Sequence, residues 1–207
     1  MAHIPDGLLS LPILVSDGII AITGVGLALR RINDRAIPRI AILSAVFFTA
    51  SLVSMPVGPS SIHLLLSGLM GIVLGMGIFP AVMVALFLQA ILFGFGGLTT
   101  LGVNTVNIAL PGAIVGLVLG PVVRHASSAA KASSLAALGA AFSVMATGGL
   151  VAISLWISSS AFTPVAKILL ITYLPLALVD AAFTAAVVGF LTRVKPQALI
   201  PQLSSPE

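Results

Sequence analysis

The chain contains no cysteine. Disulfides, thiolate zinc sites and cysteine nucleophiles are therefore excluded. Charge is almost as scarce: Asp, Glu, Lys and Arg make up 7% of the 207 residues, against roughly 25% in soluble domains. That share excludes an ordinary globular protein, and it excludes charge-rich disorder. No Lys or Arg occurs before Arg30, and Asp6 and Asp17 lie in the early stretch. A cleaved signal peptide needs a positive first region, so the N-terminus is read as uncleaved and the first apolar run as a true membrane helix. There is no His-Glu-x-x-His and no carboxylate pair at catalytic spacing, which leaves an intramembrane hydrolase unsupported. The glycine run Gly94-Phe95-Gly96-Gly97 lacks the Gly-Lys-Ser/Thr ending of a phosphate-binding loop. No basic cluster with interleaved aromatics is present, so nucleic acid is not an expected partner. The chain is not expected to be an enzyme.

What is present is apolar. Hydrophobic residues make up 59% of the chain, and mean hydropathy is +1.24. The apolar runs are long and do not alternate, which separates them from β-barrel strands. An all-α polytopic membrane protein follows, with about seven helices. Expected spans are 8–29, 37–55, 60–76, 79–93, 103–123, 134–157 and 164–191. Ser60-Ser61 is read as the N-cap of the third, and Gly75-Met76-Gly77 as the tight turn into the fourth. Residues 1–195 form one membrane domain, and 196–207, with three prolines, a short flexible cytoplasmic tail.

Basic residues set the orientation. Arg30, Arg31, Arg35 and Arg39 follow the first helix, Arg124 and Lys131 the fifth, Arg193 and Lys195 the seventh. All eight share one side, and only Lys167 dissents. Positive residues stay inside, so the N-terminus is expected outside and the C-terminus in the cytoplasm. The same topology puts His3, the loop 56–61, His63 and the loop 94–102 outside together.

This outer end holds the candidate chemistry. The chain opens Met1-Ala2-His3-Ile4-Pro5-Asp6-Gly7. A terminal amine, a backbone amide and an imidazole on adjacent residues reach one metal ion, a nitrogen set that suits Ni²⁺ and Cu²⁺. Binding releases protons, so affinity rises with pH. His63 is placed about one turn inside the third helix. Ionisable groups at membrane depth are usually functional; the competing reading is an interfacial histidine bonded to Ser60 or a backbone carbonyl. Asn104 and Asn107 share a helix face, and they either tie helices together or support a ligand imidazole or the terminal peptide. Gln89 is read as a helix–helix tie and His125 as a solvated loop residue. Asp6 caps the first helix or attracts cations. Asp17 reaches towards water, and Asp180, at mid-depth, is either packed or functional. Two other classes stay open: a secondary permease using Asp180 or Asp17 as proton carrier, and a non-transporting membrane scaffold with structural histidines.

Four segments carry a family resemblance: His3-Ile4-Pro5-Asp6-Gly7-Leu8-Leu9-Ser10, Ser60-Ser61-Ile62-His63-Leu64, the run from Gln89 through Gly94-Phe95-Gly96-Gly97 to Asn104, and Arg193-Val194-Lys195-Pro196. The chain resembles, over nearly its whole length, the CbiM/NikM substrate-binding components of cobalt and nickel energy-coupling factor transporters. The resemblance implies a flat four-nitrogen site for Ni²⁺ or Co²⁺ as transported substrate. Its ligands would be the terminal amine (of Ala2 if Met1 is removed, otherwise of Met1), the amide and imidazole of His3, and the imidazole of His63. Ser61, Asn104 and Asn107 would support them. It also implies a transmembrane coupling subunit, two ATP-binding-cassette ATPases, often a small accessory membrane protein, and a place in a bacterial or archaeal cytoplasmic membrane. Three positions depart from the family. Ala2 intervenes between Met1 and the histidine, so a retained Met1 would give a Met-Ala-His chelate in which His63 is dispensable. Phe95 replaces the usual aspartate, and Asp180 a common glutamate.

Overall fold

The structure is a computed structural model and describes residues 3–53, 55–57 and 60–202. Its helices are α1 (Leu11–Leu29), α2 (Ile37–Leu52), α3 (Ser67–Leu74), α4 (Ile78–Phe93), α5 (Leu101–Arg124), α6 (Ala129–Ser158) and α7 (Thr163–Val194). A short antiparallel hairpin of β1 (Met55–Val57) and β2 (Ser60–Ile62) joins α2 to α3. Prolines sit in the first turns of α1, α2 and α7, where the missing N–H has no intrahelical partner to lose. Among the described residues, five apolar helical stretches are long enough to cross a bilayer, and Ile37–Leu52 is a shorter sixth. The molecule is an all-α polytopic membrane protein.

Ser67–Phe93 is not one rod. Gly75 takes a φ of 56° and opens a 3-10 turn over Gly75–Gly77, a conformation that favours glycine. Before the turn, α3 runs along α5 in the same direction, with Gly71 against Gly112 and Gly116. After it, α4 runs along α2. Ile40 touches Gly77, the Ser44 hydroxyl donates to Ala81 O at 2.8 Å, and Gln89 Nε2 donates to Ser51 Oγ at 2.6 Å. The chain therefore reverses where the glycine pair predicts, and Gln89 is the helix–helix tie that its position suggests.

The start of the third helix differs from expectation. Ser60-Ser61 caps no helix; Ser60–Ile62 is a strand, and α3 begins only at Ser67. Residues 63–66 are irregular, and Leu66 has a φ of 52°, which no right-handed helix contains. His63 consequently stands before the helix rather than one turn inside it. The second helix stops at Leu52, short of 55, because Met55 pairs with Ile62 in the hairpin. The sixth starts at Ala129 rather than 134, since Ser128 accepts from Lys131 N at 3.2 Å and caps it.

The core centres on α5, with Leu65, Leu66, Met70, Ile78, Val82 and Ile108 buried around it. Outward faces of α1 and α7 expose Ile19, Ile22, Ile171 and Leu178, as side chains facing hydrocarbon do. At the basic end, Arg39 donates to Ala198 O and Ile200 O at 3.2 and 2.7 Å, and Arg124 to Leu199 O at 3.4 Å. Leu199 is buried. Within the 196–207 tail, the carbonyls of residues 198–200 are tied to the helices by these three bonds. Carbonyls after a helix end are orphan acceptors, and these arginines satisfy them.

Candidate metal centre

Residues 3–10 form no helix and lie across the end of the bundle opposite those arginines. Ile4 and Leu9 anchor them, buried against Val103 of α5 and Val151 and Leu155 of α6. Ser10 N donates to Ser158 Oγ at 3.1 Å. A strand-free segment needs partners for its buried backbone groups, and α5 supplies them. Ile4 N donates to Asn104 Oδ1 at 2.9 Å, while Asn104 Nδ2 and the Thr100 hydroxyl donate to Ile4 O at 3.0 and 2.8 Å. The residue after His3 is thus gripped on both backbone sides by one asparagine.

Asp6 adds a second grip. Its carboxyl accepts from the N–H groups of Leu98, Thr99 and Thr100 at 3.1–3.2 Å, and from the Thr99 hydroxyl at 2.5 Å. It caps the turn leading into α5 and not the first helix, because α1 begins further along at Leu11. The glycine run now has a reason. Gly96 has a φ of 75°, and a Cβ there would meet Asn104 Nδ2 at 3.2 Å and His3 Cβ at 3.4 Å; a Cβ on Gly97 would overlap the Asp6 carboxyl. The loop is glycine because the N-terminal segment lies directly on it.

These contacts put His3 beside His63. The two imidazoles stack with ring centroids 5.0 Å apart and planes 17° from parallel, and both are buried. His63 Nδ1 lies 3.2 Å from Leu64 O. A carbonyl only accepts, so Nδ1 carries the proton and Nε2 keeps a free lone pair. That Nε2, and both ring nitrogens of His3, are buried without a hydrogen-bond partner among the described residues. Orphaned buried polar atoms are rare and call for an explanation. Burial, reinforced by His63, lowers the His3 pKa to about 3. That ring is therefore neutral near pH 7, the form that binds metal.

Among the described residues no three His, Cys, Asp or Glu side chains gather, so further ligands to an ion here would be main-chain or terminal groups. Met1 and Ala2 lie outside the described residues, as does the Ser61 side chain. Asn107 is buried one turn beyond Asn104, its Nδ2 without a partner among the described residues, and has no bond to the Ile4 backbone as Asn104 does. Phe95 stacks on Phe93, ring centroids 5.9 Å apart. His125 is exposed on the basic side, Nδ1–H donating to Pro121 O at 2.8 Å. Sequence reasoning missed the Asp6 and Thr100 contacts; the only signal for them was the unusual glycine run.

Asn104→Leu removes both bonds to Ile4. It is expected to weaken Ni²⁺ binding about 10–100-fold, the range for groups that orient a ligand, measured by chelator competition. Asp6 tests the second grip. The Thr99 hydroxyl, followed by the three amides, holds its pKa below the usual 3.8. Such a carboxylate stabilises the fold above its unfolded pKa and loses that effect as pH falls through the lower folded value. Melting of the metal-free protein should therefore drop below about pH 4, and Asp6→Asn should flatten part of that drop.

A family model described as the cobalt uptake substrate-specific transmembrane region, CbiM, matches residues 3–198. A putative metal transport protein of Haemophilus influenzae is 32% identical, over 95% of this chain and 96% of its own length. A cobalt transport protein CbiM of Sorangium cellulosum is 30% identical, over 95% and 94%. A putative fused nickel transport protein NikMN of Archaeoglobus fulgidus is 29% identical over 99% of this chain and 70% of its own. The crystal structure of a transition metal transporter superposes with a TM-score of 0.77 at 25% identity, covering 93% of each chain. With the family model matching nearly the whole chain and a solved transporter sharing its fold, the chain belongs to the CbiM family of cobalt-uptake substrate-specific transmembrane proteins.

Proposed function

We propose that the protein captures Ni²⁺ or Co²⁺ outside the cytoplasmic membrane of a bacterium or archaeon and delivers it inward. It does so as the substrate-binding component of an ATP-driven importer. The observation that carries this is the pair of buried, stacked imidazoles with three ring nitrogens lacking partners among the described residues. The remaining nitrogens are the His3 amide and the terminal amine, of Ala2 once Met1 is removed. The chain crosses the membrane seven times, the third time through residues 63–74. The histidines then lie at the outer end and the arginine-held tail at the inner one, in accord with the placement of basic residues. The chain has no phosphate-binding loop of its own, so ATP hydrolysis falls to two partner ATPases acting through a transmembrane coupling subunit, with a small accessory membrane protein alongside.

Intact-mass spectrometry with and without Ni²⁺ and Co²⁺ tests the site. A mass lacking Met1 with one tightly held ion is expected. A retained Met1 with metal bound would demote His63 in favour of a Met-Ala-His chelate, and no metal under any condition would overturn the proposal. Uptake in vesicles that needs a proton gradient but no ATPase would favour a secondary permease instead. That alternative has little support at Asp180, whose carboxyl is tied to two backbone amides.

A further inference from the structure

His63 opens an irregular stretch, 63–66, that enters the core. Residues 63–66 belong to neither the hairpin nor α3, so their amides need partners from elsewhere. Asp180, buried in α7, supplies two. Its Oδ2 accepts from Leu65 N and from Leu66 N, each at 2.9 Å. Leu66 needs such help. It is the one non-glycine residue with positive φ among the described residues, a conformation that persists only where its surroundings impose it. Glycine would adopt it freely, but the buried Leu66 side chain belongs to the core.

The second of these facts meets the first in a single peptide group. The N–H of Leu65 and the C=O of Leu64 are two ends of one amide. No described peptide bond is cis, so in a planar trans unit these two groups point in opposite directions. One end is held by Asp180; the other accepts from His63 Nδ1. Fixing the amide plane from the Asp180 side fixes where the carbonyl points. The carbonyl in turn selects the Nδ1–H tautomer and leaves Nε2 bare. Carboxylates commonly orient metal-binding histidines by direct contact; here a peptide group stands between them.

We propose that Asp180 is a positioning residue that sets the tautomer and ring orientation of His63 through the Leu64–Leu65 peptide. This deepens the proposed function and rests on His63 being a metal ligand. The first readout needs only the metal-free wild-type protein: ¹⁵N NMR of the His63 ring should show the Nδ1–H tautomer, and an Nε2–H ring would overturn the inference. Asp180→Leu should mix the tautomers and weaken Ni²⁺ binding about 10–100-fold. Asp180→Asn keeps an acceptor oxygen, so it should keep the tautomer and lose less affinity. A carboxyl that is merely structural would lower the melting temperature of D180L while leaving tautomer and Ni²⁺ affinity unchanged, and that result would also overturn the inference. Should D180L not fold, D180N and the wild-type tautomer still decide: a mixed tautomer in D180N with both amides still protected from exchange would break the link. Wild-type protein that binds neither Ni²⁺ nor Co²⁺ overturns the proposed function, and the tautomer readout then still judges the Asp180 link.

Discussion

Replacing His63 by alanine is expected to lower Ni²⁺ affinity by more than about 100-fold, beyond the 10–100-fold typical of groups that only orient a ligand. The reason is the shortage of donors. Among the described residues, only His3 and His63 bring ligating side chains together here, and His63 Nε2 has no other occupation. The fold should lose a modest amount of stability, since a buried ring stack and one bond to Leu64 O are lost, partly offset by removal of an unpartnered buried nitrogen. Melting curves separate the two effects. A ligand at 100 times its dissociation constant stabilises the folded form by about 2.7 kcal/mol. In wild-type protein Ni²⁺ should raise the melting temperature accordingly. In His63→Ala the metal-free curve should fall modestly and the metal-dependent rise should vanish. Unchanged affinity would remove the paired-imidazole site and leave the terminal chelate.

The largest expected loss of stability comes from a different place. Gly71→Ala should destabilise the protein by more than about 3 kcal/mol, the upper end for overpacked sites, and much of it should fail to fold. An added Cβ at Gly71 lands on the Gly112 carbonyl oxygen, and one at Gly116 lands on the Gly71 carbonyl. Both obstacles are backbone. A side chain in the way can rotate aside; a carbonyl moves only if its helix moves. Close approach through small residues is how membrane helices gain dispersion contacts without a hydrophobic driving force between them. Gly26 and Gly149 are the controls, since a Cβ at either meets nothing within 4 Å. Alanine there should be neutral or stabilising by up to about 1 kcal/mol through helix propensity. Thermal unfolding in one detergent, with all three variants, makes the comparison.

Much of the fold was legible because hydrocarbon simplifies the code. Long apolar runs become helices, and the glycine pair at 75 and 77 announced a reversal that the structure contains. The same logic failed at 60–66. Ser60-Ser61 followed by an apolar run reads locally as a helix start. The strand and the left-handed Leu66 depend on a partner in α7, with Asp180 lying 115 residues beyond Leu65. Asp6 misled for the same reason. It is a good capping residue, and it does cap, but on amides more than ninety residues away. For Asn104 the sequence required a partner, because an amide at the membrane edge must find one, but left a helix tie and support of the terminal peptide both open; the bonds go to Ile4. Asn107, at the same helical face, looked equivalent in sequence and has no such contact. The glycine run was visible as an oddity; its cause, a neighbouring segment lying on the backbone, is a fact of tertiary approach.

The two histidines are mounted differently. His63 bonds to a peptide anchored by Asp180 in α7, whereas His3 rides on a strap held at Ile4, Asp6 and Ser10. At the proposed metal site, a ligand carried on a strap would make capture and closure a single event, with the ion fully coordinated only while the strap is seated. Residence time would then depend on the hydrogen bonds to Asn104, Thr99 and Thr100. Weakening that rim should speed release more than it slows entry, so residues that never touch the ion would set its dwell.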